Sequence, residues 1–279
     1  MINEGKKWDL LSKNFLIDNY NKIPISEIAE KLQRTEYGVY RKATKLKLLN
    51  KSENVKLKRK IKGYTLDENF FETPNLLNSY WAGFLAADGC IDPTRNRIVF
   101  GLSEKDAFHL DRFKNDINFN GKTTERRSVC NISDSIEKHV FYSIEITSKK
   151  LCEDLYKNFN ISGNKTKKLE PPSLNKNLNQ AYCIGFIDGD GSIMNRQDGV
   201  LFFSIIALEN ICEWVKQQFI DIIASNEDKI RLSNIKIIQP KHTNVVKVLK
   251  FSNQTYCTEI LKYLKQIDVP KLERKWGKV

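Results

Sequence analysis

The sequence lacks any apolar run close to the ~20 residues that a transmembrane helix needs, and its polar start, MINEGKKWDL, lacks the pattern of a signal peptide. We therefore expect an intracellular protein of the cytoplasm or nucleoid, with an organelle left open. Its six cysteines are scattered without a C-x-x-C pair, and the chain has only 3 histidines. This pattern argues against a zinc site and indicates buried, reduced thiols.

Acidic residues are also scarce relative to basic ones. The chain has 46 Lys and Arg against 34 Asp and Glu, a net charge of +12 at pH 7. Residues 1–62 contain 16 basic and 7 acidic residues, so a difference of +9 lies in this short part of the chain. Such an excess points to a polyanionic partner. A Lys- and Asn-rich composition inherited from an A·T-rich genome would raise the total, but it would not explain the clustering.

Three short helices are predicted in residues 1–50, and the third, EYGVYRKATKLKL, has a basic and aromatic outer face. Two short helices joined by a tight turn, the second one basic, are typical of a helix-turn-helix DNA reader. A structural three-helix bundle would show the same apolar spacing. If the segment reads DNA, we expect contacts from Glu36, Tyr37, Tyr40, Arg41 and Lys45. Residues 51–65 are predicted to form a basic linker, either along phosphates or simply solvated.

One phrase occurs twice in the remaining chain, as YWAGFLAADGCI at residues 80–91 and as YCIGFIDGDGSI at residues 182–193. Strand-like and helical patterns follow both copies in the same order, for example HVFYSIEIT in the first half and NVVKVLKFS in the second. The repeat predicts two related halves, at residues 66–170 and 171–279. A segment rich in Pro, Asn and Lys connects them.

Small residues recur four positions apart in both copies, so that they share one face of a helix. A glycine inside a helix costs roughly 1 kcal/mol relative to Ala, so we expect the fold to use it. Small faces allow two helix backbones to approach closely. We therefore expect the two helices to pack on each other about a pseudo-twofold axis through Gly83, Ala87, Gly185 and Gly189.

Both copies end in Asp-Gly. Gly89 and Gly191 are predicted to cap the helices in the left-handed conformation, which places Asp88 and Asp190 side by side at two helix C-termini. Two carboxylates at the negative ends of helix dipoles repel each other and favour a hard cation such as Mg²⁺. Mg²⁺ in this position is suited to polarising a phosphodiester and activating water.

The phrases WAGFLAADG and CIGFIDGDG resemble the two signature motifs of the LAGLIDADG homing endonucleases, in their single-chain form. The resemblance covers residues 66–279. It implies an α+β fold of two αββαββα halves, whose saddle-shaped antiparallel sheets straddle DNA, beside the small all-α helix-turn-helix extension. It also implies that Asp88 and Asp190 are catalytic acids and metal ligands, and that the carbonyl groups of Ala87 and Gly189 join the metal shell.

One acidic residue of the second motif has no partner in the first. Asp188 lies two residues before Asp190, so it points roughly 200° away around the helix. Ala86 stands at its place in the first copy, where many members of the family have Asp. We interpret Asp188 as a structural residue, a cap or the partner of a basic group. Ala86 does not put activity in doubt, because this position is not the metal ligand.

The resemblance further implies a lysine beside each active site, after the second long helix of each half. KKLEP and PKLER share Lys-Leu-Glu, which aligns Lys168 with Lys271, 80 and 81 residues after their respective aspartates. A lysine there would stabilise the transition state or orient the attacking water. Lys167 and Lys275 are the neighbouring alternatives, and a solvated surface charge is the alternative for any single lysine.

These features predict a monomeric, Mg²⁺-dependent endonuclease that cuts both strands of a long, asymmetric double-stranded DNA target. The resemblance implies cleavage across the minor groove with short 3′ overhangs and two or three divalent ions shared between two active sites. It also implies homing, such as intron homing, and the sequence leaves open whether the gene lies in an intron, in an intein or alone. No small-molecule substrate is expected. The alternative is a non-cleaving DNA-binding regulator or an RNA-splicing maturase; such proteins often lose one or both acids, and both are present here. A structural nucleoid protein would not need the paired aspartates.

Overall fold

The structure is a computed structural model that describes residues 7–20, 22–48, 63–132, 135–163, 165–197, 199–233, 235–241, 243, 245–252 and 254–279. The chain divides into two compact units, one of Met1–Leu66 with Phe119–Gly121 and one of Asp67–Asn118 with Lys122–Val279. No helix in the described ranges is long and apolar enough to cross a bilayer. Most of the predicted linker, residues 51–62, lies outside the described residues, so its role stays a prediction.

The described residues of the N-terminal unit form three helices: α1 (Leu10–Asn19), α2 (Ile25–Lys31) and α3 (Glu36–Lys45). The Asp9 carboxylate caps α1 by accepting from the backbone N–H of Ser12, and the Thr35 hydroxyl caps α3 by accepting from that of Gly38. The predicted small helical part is therefore present. In the part of the unit that the structure describes, six buried side chains form a core: Leu16, Tyr20, Ile28, Ala29, Val39 and Ala43.

The first half of the larger unit begins with the first motif helix, α4 (Leu76–Asp88), which starts with a capping box between Asn75 and Asn78. The elements that follow are β1 (Cys90–Asp92), β2 (Arg97–Ser103), a 3₁₀ turn (Glu104–Asp106), α5 (Ala107–Asp116), β3 (Thr124–Ile132), β4 (Ser135–Thr147) and α6 (Lys149–Phe159). The four strands form an antiparallel sheet in the order β1-β2-β4-β3.

A short helix, α7 (Lys165–Lys168), precedes the second motif helix, α8 (Lys176–Asp190). The second half then continues with β5 (Gly191–Asn195), β6 (Leu201–Ala207), α9 (Glu209–Ile220), α10 (Asn226–Ser233), β7 (Ile237–Ile238), β8 (Lys247–Phe251), α11 (Gln254–Gln266) and α12 (Glu273–Trp276). Its antiparallel sheet has the order β5-β6-β8-β7. Apart from the short helices, both halves have the predicted αββαββα order, which confirms the α+β fold.

Each sheet has one covered face and one open face. Alternate residues of the central strands are buried, as the period of two predicts: Ile98, Phe100 and Leu102 in β2, and Phe203, Ile205 and Ala207 in β6. The residues between them are half-buried or exposed. The open faces begin directly after the motif helices, because β1 and β5 follow α4 and α8 within two residues.

The two motif helices touch along their small faces. A Cβ added to Gly83 would lie 2.0 Å from the carbonyl oxygen of Tyr182, and one added to Gly185 would lie 1.9 Å from that of Tyr80. Such distances are far inside van der Waals contact with backbone atoms, so even alanine does not fit. Each glycine meets the tyrosine at the same place of the other motif, which is the pseudo-twofold relation that the repeat predicts.

The glycines after the two aspartates are not in the predicted left-handed conformation, so this expectation is wrong. Gly89 has φ −73° and ψ 158°, and Gly191 has φ −84° and ψ 157°. Glycine is needed for space instead, since a Cβ would lie 2.7 Å from the carbonyl oxygen of Leu85 at the first position and 2.6 Å from that of Ile187 at the second. The chain therefore passes from each helix into a strand through an extended residue.

Candidate active site

The motif helices end together, and their last residues are Asp88 and Asp190. A Cβ added to Gly189 would lie 2.3 Å from the Cβ of Ala87 and 3.4 Å from Oδ2 of Asp88, so the last turns of the two helices are in contact. Both aspartates are exposed on their outer sides. The contact between α4 and α8, which we call the seam, thus brings two acidic side chains to one place on the surface, where the two sheets begin.

The packed protein on the inner side raises the pKa of both aspartates. Burial raises the pKa of Asp88 above its usual 3.8. Burial, followed by the charge of Asp88, raises the pKa of Asp190 to about 6. Ammonium groups act in the opposite direction, with Lys275 the strongest on Asp88 and Lys165 the strongest on Asp190. The pair is therefore a site of concentrated negative charge that a cation would relieve.

Lys165, in the short helix α7, covers the end of the first motif helix. Its ammonium donates to the carbonyl oxygens of Leu85 at 3.2 Å and Ala86 at 2.8 Å, and also to that of Ala87. Burial lowers the pKa of Lys165 to about 8, although the nearby charge of Asp190 acts to raise it. The ammonium therefore lies at the negative end of the helix dipole.

Lys275, in α12, has the same position at the second motif helix. Its ammonium donates to the carbonyl oxygens of Ile187 at 3.0 Å, Asp188 at 2.5 Å, Gly189 at 3.1 Å and Gly191 at 2.7 Å. The residue is buried, and burial lowers the pKa of Lys275 to about 8. Each motif helix thus ends against one lysine from the segment that closes its own half.

The lysines that meet the helix ends are Lys165 and Lys275, so the choice of Lys168 and Lys271 from the repeat is wrong. Lys168 is exposed. The ammonium of Lys271 donates to carbonyl oxygens that follow α11, those of Ile267 and Val269. Lys167, the other neighbour considered, is also exposed.

The error has a structural cause that sequence spacing hides. Leu169 and Leu272 are both buried, so the repeat aligns the leucines correctly. The short helix that carries the lysine precedes the first leucine and follows the second, as α7 and α12 do. The two lysines consequently lie four residues before Leu169 and three residues after Leu272. A lysine one helical turn from the buried leucine, on either side, is the signal that would have found both.

The two helix ends form two sites that share the seam. We define the second site as Asp190, Lys165 and the carbonyl group of Ala87, which line one cavity of about 220 Å³. The rest of this cavity is mostly apolar and includes Ile206, Leu208 and Val246.

We define the first site as Asp88, Lys275 and the carbonyl group of Gly189. An ion pair accompanies it, in which Arg274 donates to both carboxylate oxygens of Asp106, from Nε at 2.7 Å and from Nη2 at 2.6 Å. The charge of Asp106 acts to raise the pKa of Asp88, and the charge of Arg274 acts to lower it. Asp106 directly precedes α5, and the residue that directly precedes α9 in the second half is Leu208. The two sites are therefore alike in acid and lysine but unlike in what surrounds them.

Asp188 is buried and has three hydrogen-bond donors. Its carboxylate accepts from the hydroxyl of Tyr80 at 2.7 Å, from Nε1 of Trp276 at 2.7 Å and from the backbone N–H of Leu272 at 3.0 Å. The Tyr80 hydroxyl also meets Nε2 of His109 at 2.6 Å. Burial lowers the pKa of His109 to about 3, so the imidazole is neutral. Because Tyr80 gives its proton to Asp188, the imidazole must donate through Nε2.

These contacts support the structural interpretation of Asp188, which holds the C-terminal segment against both motif helices. The tyrosine at the same place of the second motif, Tyr182, is fully buried, and its hydroxyl has no hydrogen-bond partner within the described residues. Ala86 stands in the first motif where Asp188 stands in the second. Sequence reasoning missed Tyr80, although a buried carboxylate in an apolar helix requires nearby donors.

The donor set at the two sites fits a hard divalent cation. Each site has an aspartate and a helix-end carbonyl oxygen, which are the ligand types that Mg²⁺ prefers. The helix ends already attract positive charge, since both carbonyl oxygens accept from an ammonium group. The described part of the chain has no group of three or more His, Cys, Asp or Glu that could hold a metal. Water and phosphate oxygens would therefore have to complete the coordination.

Four of the five predicted N-terminal DNA contacts are exposed: Glu36, Tyr37, Arg41 and Lys45. The predicted DNA contact from Tyr40 is wrong, because only 7% of this residue is exposed and its ring packs inside the unit. The ring of Tyr37 stacks on that of Tyr40 with 5.9 Å between centroids. The buried tyrosine thus supports the exposed one.

The open faces of the two sheets differ in chemistry. Opposite residues of an antiparallel pair share a face, so strand register defines each surface. The open face of the first sheet includes Arg97, Ser103, Arg126, Phe141, Glu145 and Thr147. The open face of the second sheet is mainly apolar and includes Met194, Phe202, Ile206, Ile238, Val248 and Lys250.

Comparison of the sequence with models of known families finds no match. No curated protein is similar in sequence. Solved structures do match, and several of them are structures of LAGLIDADG proteins. One is the N-terminal LAGLIDADG domain of DUF199/WhiA, at 18% identity and a TM-score of 0.39, with 77% of this chain and 89% of that chain covered.

Two further structures contain DNA. The I-SmaMI LAGLIDADG homing endonuclease bound to cleaved DNA is 13% identical, with a TM-score of 0.43 and coverage of 74% of this chain and 87% of that chain. The LAGLIDADG meganuclease I-AabMI bound to uncleaved DNA is 12% identical, with a TM-score of 0.41 and coverage of 71% and 86%. Likenesses of this size do not assign a function, which has to be inferred from the residues of the site.

Proposed function

We propose that the protein is a DNA endonuclease that hydrolyses one phosphodiester in each strand with Mg²⁺. The observation that carries this proposal is the meeting of Asp88 and Asp190 at the ends of two contacting helices, each end covered by its own lysine. Two exposed carboxylates at a DNA-binding surface would repel the DNA phosphates. A protein that only binds DNA has no use for them.

The residues that would hold Mg²⁺ are the carboxylates of Asp88 and Asp190 and the carbonyl oxygens of Ala87 and Gly189, with two or three ions shared between the sites. When bound, Mg²⁺ polarises the phosphodiester and lowers the pKa of a bound water. The raised pKa values of both aspartates support this assignment, because a divalent cation stabilises the ionised forms that burial disfavours.

Lys165 and Lys275 bring positive charge to the helix ends, where it would offset the negative charge that develops on the phosphorane. Their hydrogen bonds to several carbonyl oxygens hold each ammonium in one position, so little reorganisation is needed during the reaction. With pKa values of about 8, both remain mostly protonated at pH 7. The two aspartates would hold the Mg²⁺ ions, which would supply the activated water for the attack.

The substrate that fits is double-stranded DNA with a long, asymmetric target. The net charge of +12 supports a polyanion, and the first strand of each sheet, β1 or β5, follows its aspartate within two residues. Unlike halves within one chain suit an asymmetric target and a monomer. The resemblance adds short 3′ overhangs and a role in the homing of an intron or intein, or of a free-standing gene. The protein would act where this DNA is, in the cytoplasm, the nucleoid or an organelle.

The N-terminal unit would bind further DNA through the exposed side of α3. Deleting residues 1–62 should shorten the protected footprint at one end only, since the chain carries one such unit. The salt dependence of binding should also flatten, by about 0.9 of slope for each lost phosphate contact. Identical footprints and slopes for full-length and truncated protein would make this unit a structural bundle.

The test is selection of cleaved sites from a randomised duplex library. Wild-type protein with Mg²⁺ should enrich one long site with cuts in both strands, and EDTA should prevent the enrichment. The Asp88→Asn/Asp190→Asn double variant is the matched control, since it keeps the shape of both side chains without the charges. A library that is bound by wild-type protein but never cut would favour the non-cleaving regulator.

A further inference from the structure

Arg274 combines a buried anchor with an exposed guanidinium. Its partner Asp106 has a side chain that is only 6% exposed, whereas the side chain of Arg274 is 50% exposed. A guanidinium has five N–H donors, and Asp106 accepts two of them. Three donors therefore remain for another anion, and Arg274 directly precedes Lys275 of the first site.

The anchor gives the guanidinium a fixed orientation. A bidentate pair with a buried carboxylate holds the planar group in one position, which a lysine ammonium at the same place would not achieve. Arg274 also lies beside the first site, since it directly precedes Lys275, whose ammonium donates to the carbonyl oxygen of Gly189 at 3.1 Å. A fixed, partly exposed arginine beside Asp88, the proposed catalytic carboxylate of the first site, is suited to binding a phosphate group.

The second site differs at both positions. Leu208, which stands where Asp106 stands in the first half, lines the apolar cavity beside Asp190 and offers no anchor for an arginine. The residue before Lys165 in the sequence is Asn164, which carries no charge. The second half therefore has neither an aspartate in the place of Asp106 nor an arginine before its helix-end lysine.

We propose that Arg274, positioned by Asp106, binds the phosphate that is cut at the first site and that the two DNA strands are consequently cut in order, the first-site strand before the second-site strand. This inference depends on the proposed endonuclease function. A guanidinium that contacts a non-bridging phosphate oxygen interacts more strongly as negative charge develops in the transition state, so it accelerates the step itself. The second-site strand is cut without this contact.

The experiment follows each strand of the selected target with a separate 5′ label. The Asp88→Asn variant identifies the first-site strand as the one left uncut. Wild-type protein should accumulate a transient nick in that strand, and Arg274→Met should slow its cleavage by roughly 10²-fold, the size of effect seen when one transition-state donor is removed. Cleavage of the other strand should keep its wild-type rate. Equal slowing of both strands would overturn the proposal and leave Arg274 as part of the scaffold.

A binding measurement without metal tests the contact independently of cleavage. A methylphosphonate replaces the charged phosphate at one scissile position with a neutral group, and affinity is measured in EDTA. Neutralising the first-site phosphate should weaken binding of wild-type protein but not of Arg274→Met. Equal loss of affinity in both proteins would show that Arg274 does not touch that phosphate.

A second variant covers the case in which Arg274→Met does not fold because Asp106 is left buried without a partner. Asp106→Leu/Arg274→Met removes both charges and gives the first site the apolar residue of the second site. It should abolish the strand order and the methylphosphonate effect together, and persistence of either would contradict the proposal. A wild-type protein that cuts neither strand would refute the endonuclease function, while the EDTA measurement would still decide whether Arg274 binds the phosphate.

Discussion

The two halves of the core repeat one plan but differ in what surrounds the seam. Glycines that face the opposite helix, a terminal aspartate and a lysine at the helix end are present in both. In the first half Tyr80 donates to Asp188, whereas Tyr182 in the second half has a buried hydroxyl without a partner in the described chain.

This difference separates features that both sites need from features that one site has acquired. The shared features are the ones that bring the carboxylates together and neutralise the helix ends. The unshared ones, such as the Asp106–Arg274 pair beside the first site and the apolar cavity beside the second, change a single site. A repeat in one chain can diverge in this way because each copy no longer has to serve both positions.

Substituting the seam glycines should have the largest effect. Gly83→Ala and Gly185→Ala each place a Cβ about 2 Å from a backbone carbonyl oxygen of the other helix. We expect each to lower the free energy of unfolding by at least about 3 kcal/mol, and by similar amounts, because the contacts are related by the pseudo-twofold axis. Thermal unfolding measures this effect.

The matched control is Gly38→Ala in α3 of the N-terminal unit, where the added Cβ meets only the Thr35 hydroxyl at 3.1 Å. It should be close to neutral. Wild-type stability of either seam variant would show that the motif helices do not pack as described.

The lysines should follow in size. Lys165→Met and Lys275→Met should each slow cleavage by roughly 10²-fold through loss of charge at the reacting phosphate. Lys168→Met is the control, because Lys168 has the same side-chain chemistry but is exposed, and the lysine that contacts the nearby helix end is Lys165. Single-turnover cleavage of the selected target measures the rates, with thermal unfolding to detect loss of fold. A larger effect at Lys168 than at Lys165 would reverse the assignment.

The two buried tyrosines should respond differently to the same small change. Tyr80→Phe removes a donor from the buried carboxylate of Asp188 and should cost about 1–3 kcal/mol in the free energy of unfolding. Tyr182→Phe removes a buried hydroxyl without a partner in the described residues and should be neutral or stabilising. Chemical denaturation of both variants compares them directly, and equal destabilisation would contradict the asymmetry.

The open sheet faces give the smallest expected effect. If both faces read the major groove, the apolar face of the second sheet should contact thymine methyl groups, and the polar face of the first sheet should not. Replacing thymines by deoxyuridine should weaken binding in one half of the target only, by about 0.8 kcal/mol for each contacted methyl. Ile206→Ser in β6 should reduce this sensitivity. Equal sensitivity in both halves would show that the sheets do not differ in readout.

The fold was predictable because the repeat carries strong local signals. Alternating residues in β2 and β4, and the small-residue spacing of the motif helices, specify the elements and the seam without help from distant residues. The left-handed caps at Gly89 and Gly191 were predicted wrongly. A glycine after a helix is compatible with either a positive φ or a lack of space, and only the packing against Leu85 and Ile187 distinguishes the two.

The acids of the site were predictable, and the lysines were not. Asp88 and Asp190 end regular helices whose geometry fixes where they lie. Lys165 and Lys275 reach the helix ends from short helices on opposite sides of corresponding leucines, a tertiary arrangement that equal sequence spacing cannot represent. Arg274 and Asp106 are 168 residues apart in the chain, so their pairing is visible only in three dimensions.

The central claim is that two aspartates at one seam serve two strands, and single substitutions test it most directly. On the selected target with Mg²⁺, wild-type protein should cut both strands. Asp88→Asn and Asp190→Asn should each abolish the double-strand break, leave DNA affinity equal or higher, and nick opposite strands. Double-strand cleavage at the wild-type rate by either variant, measured on strand-labelled duplex, would contradict the account.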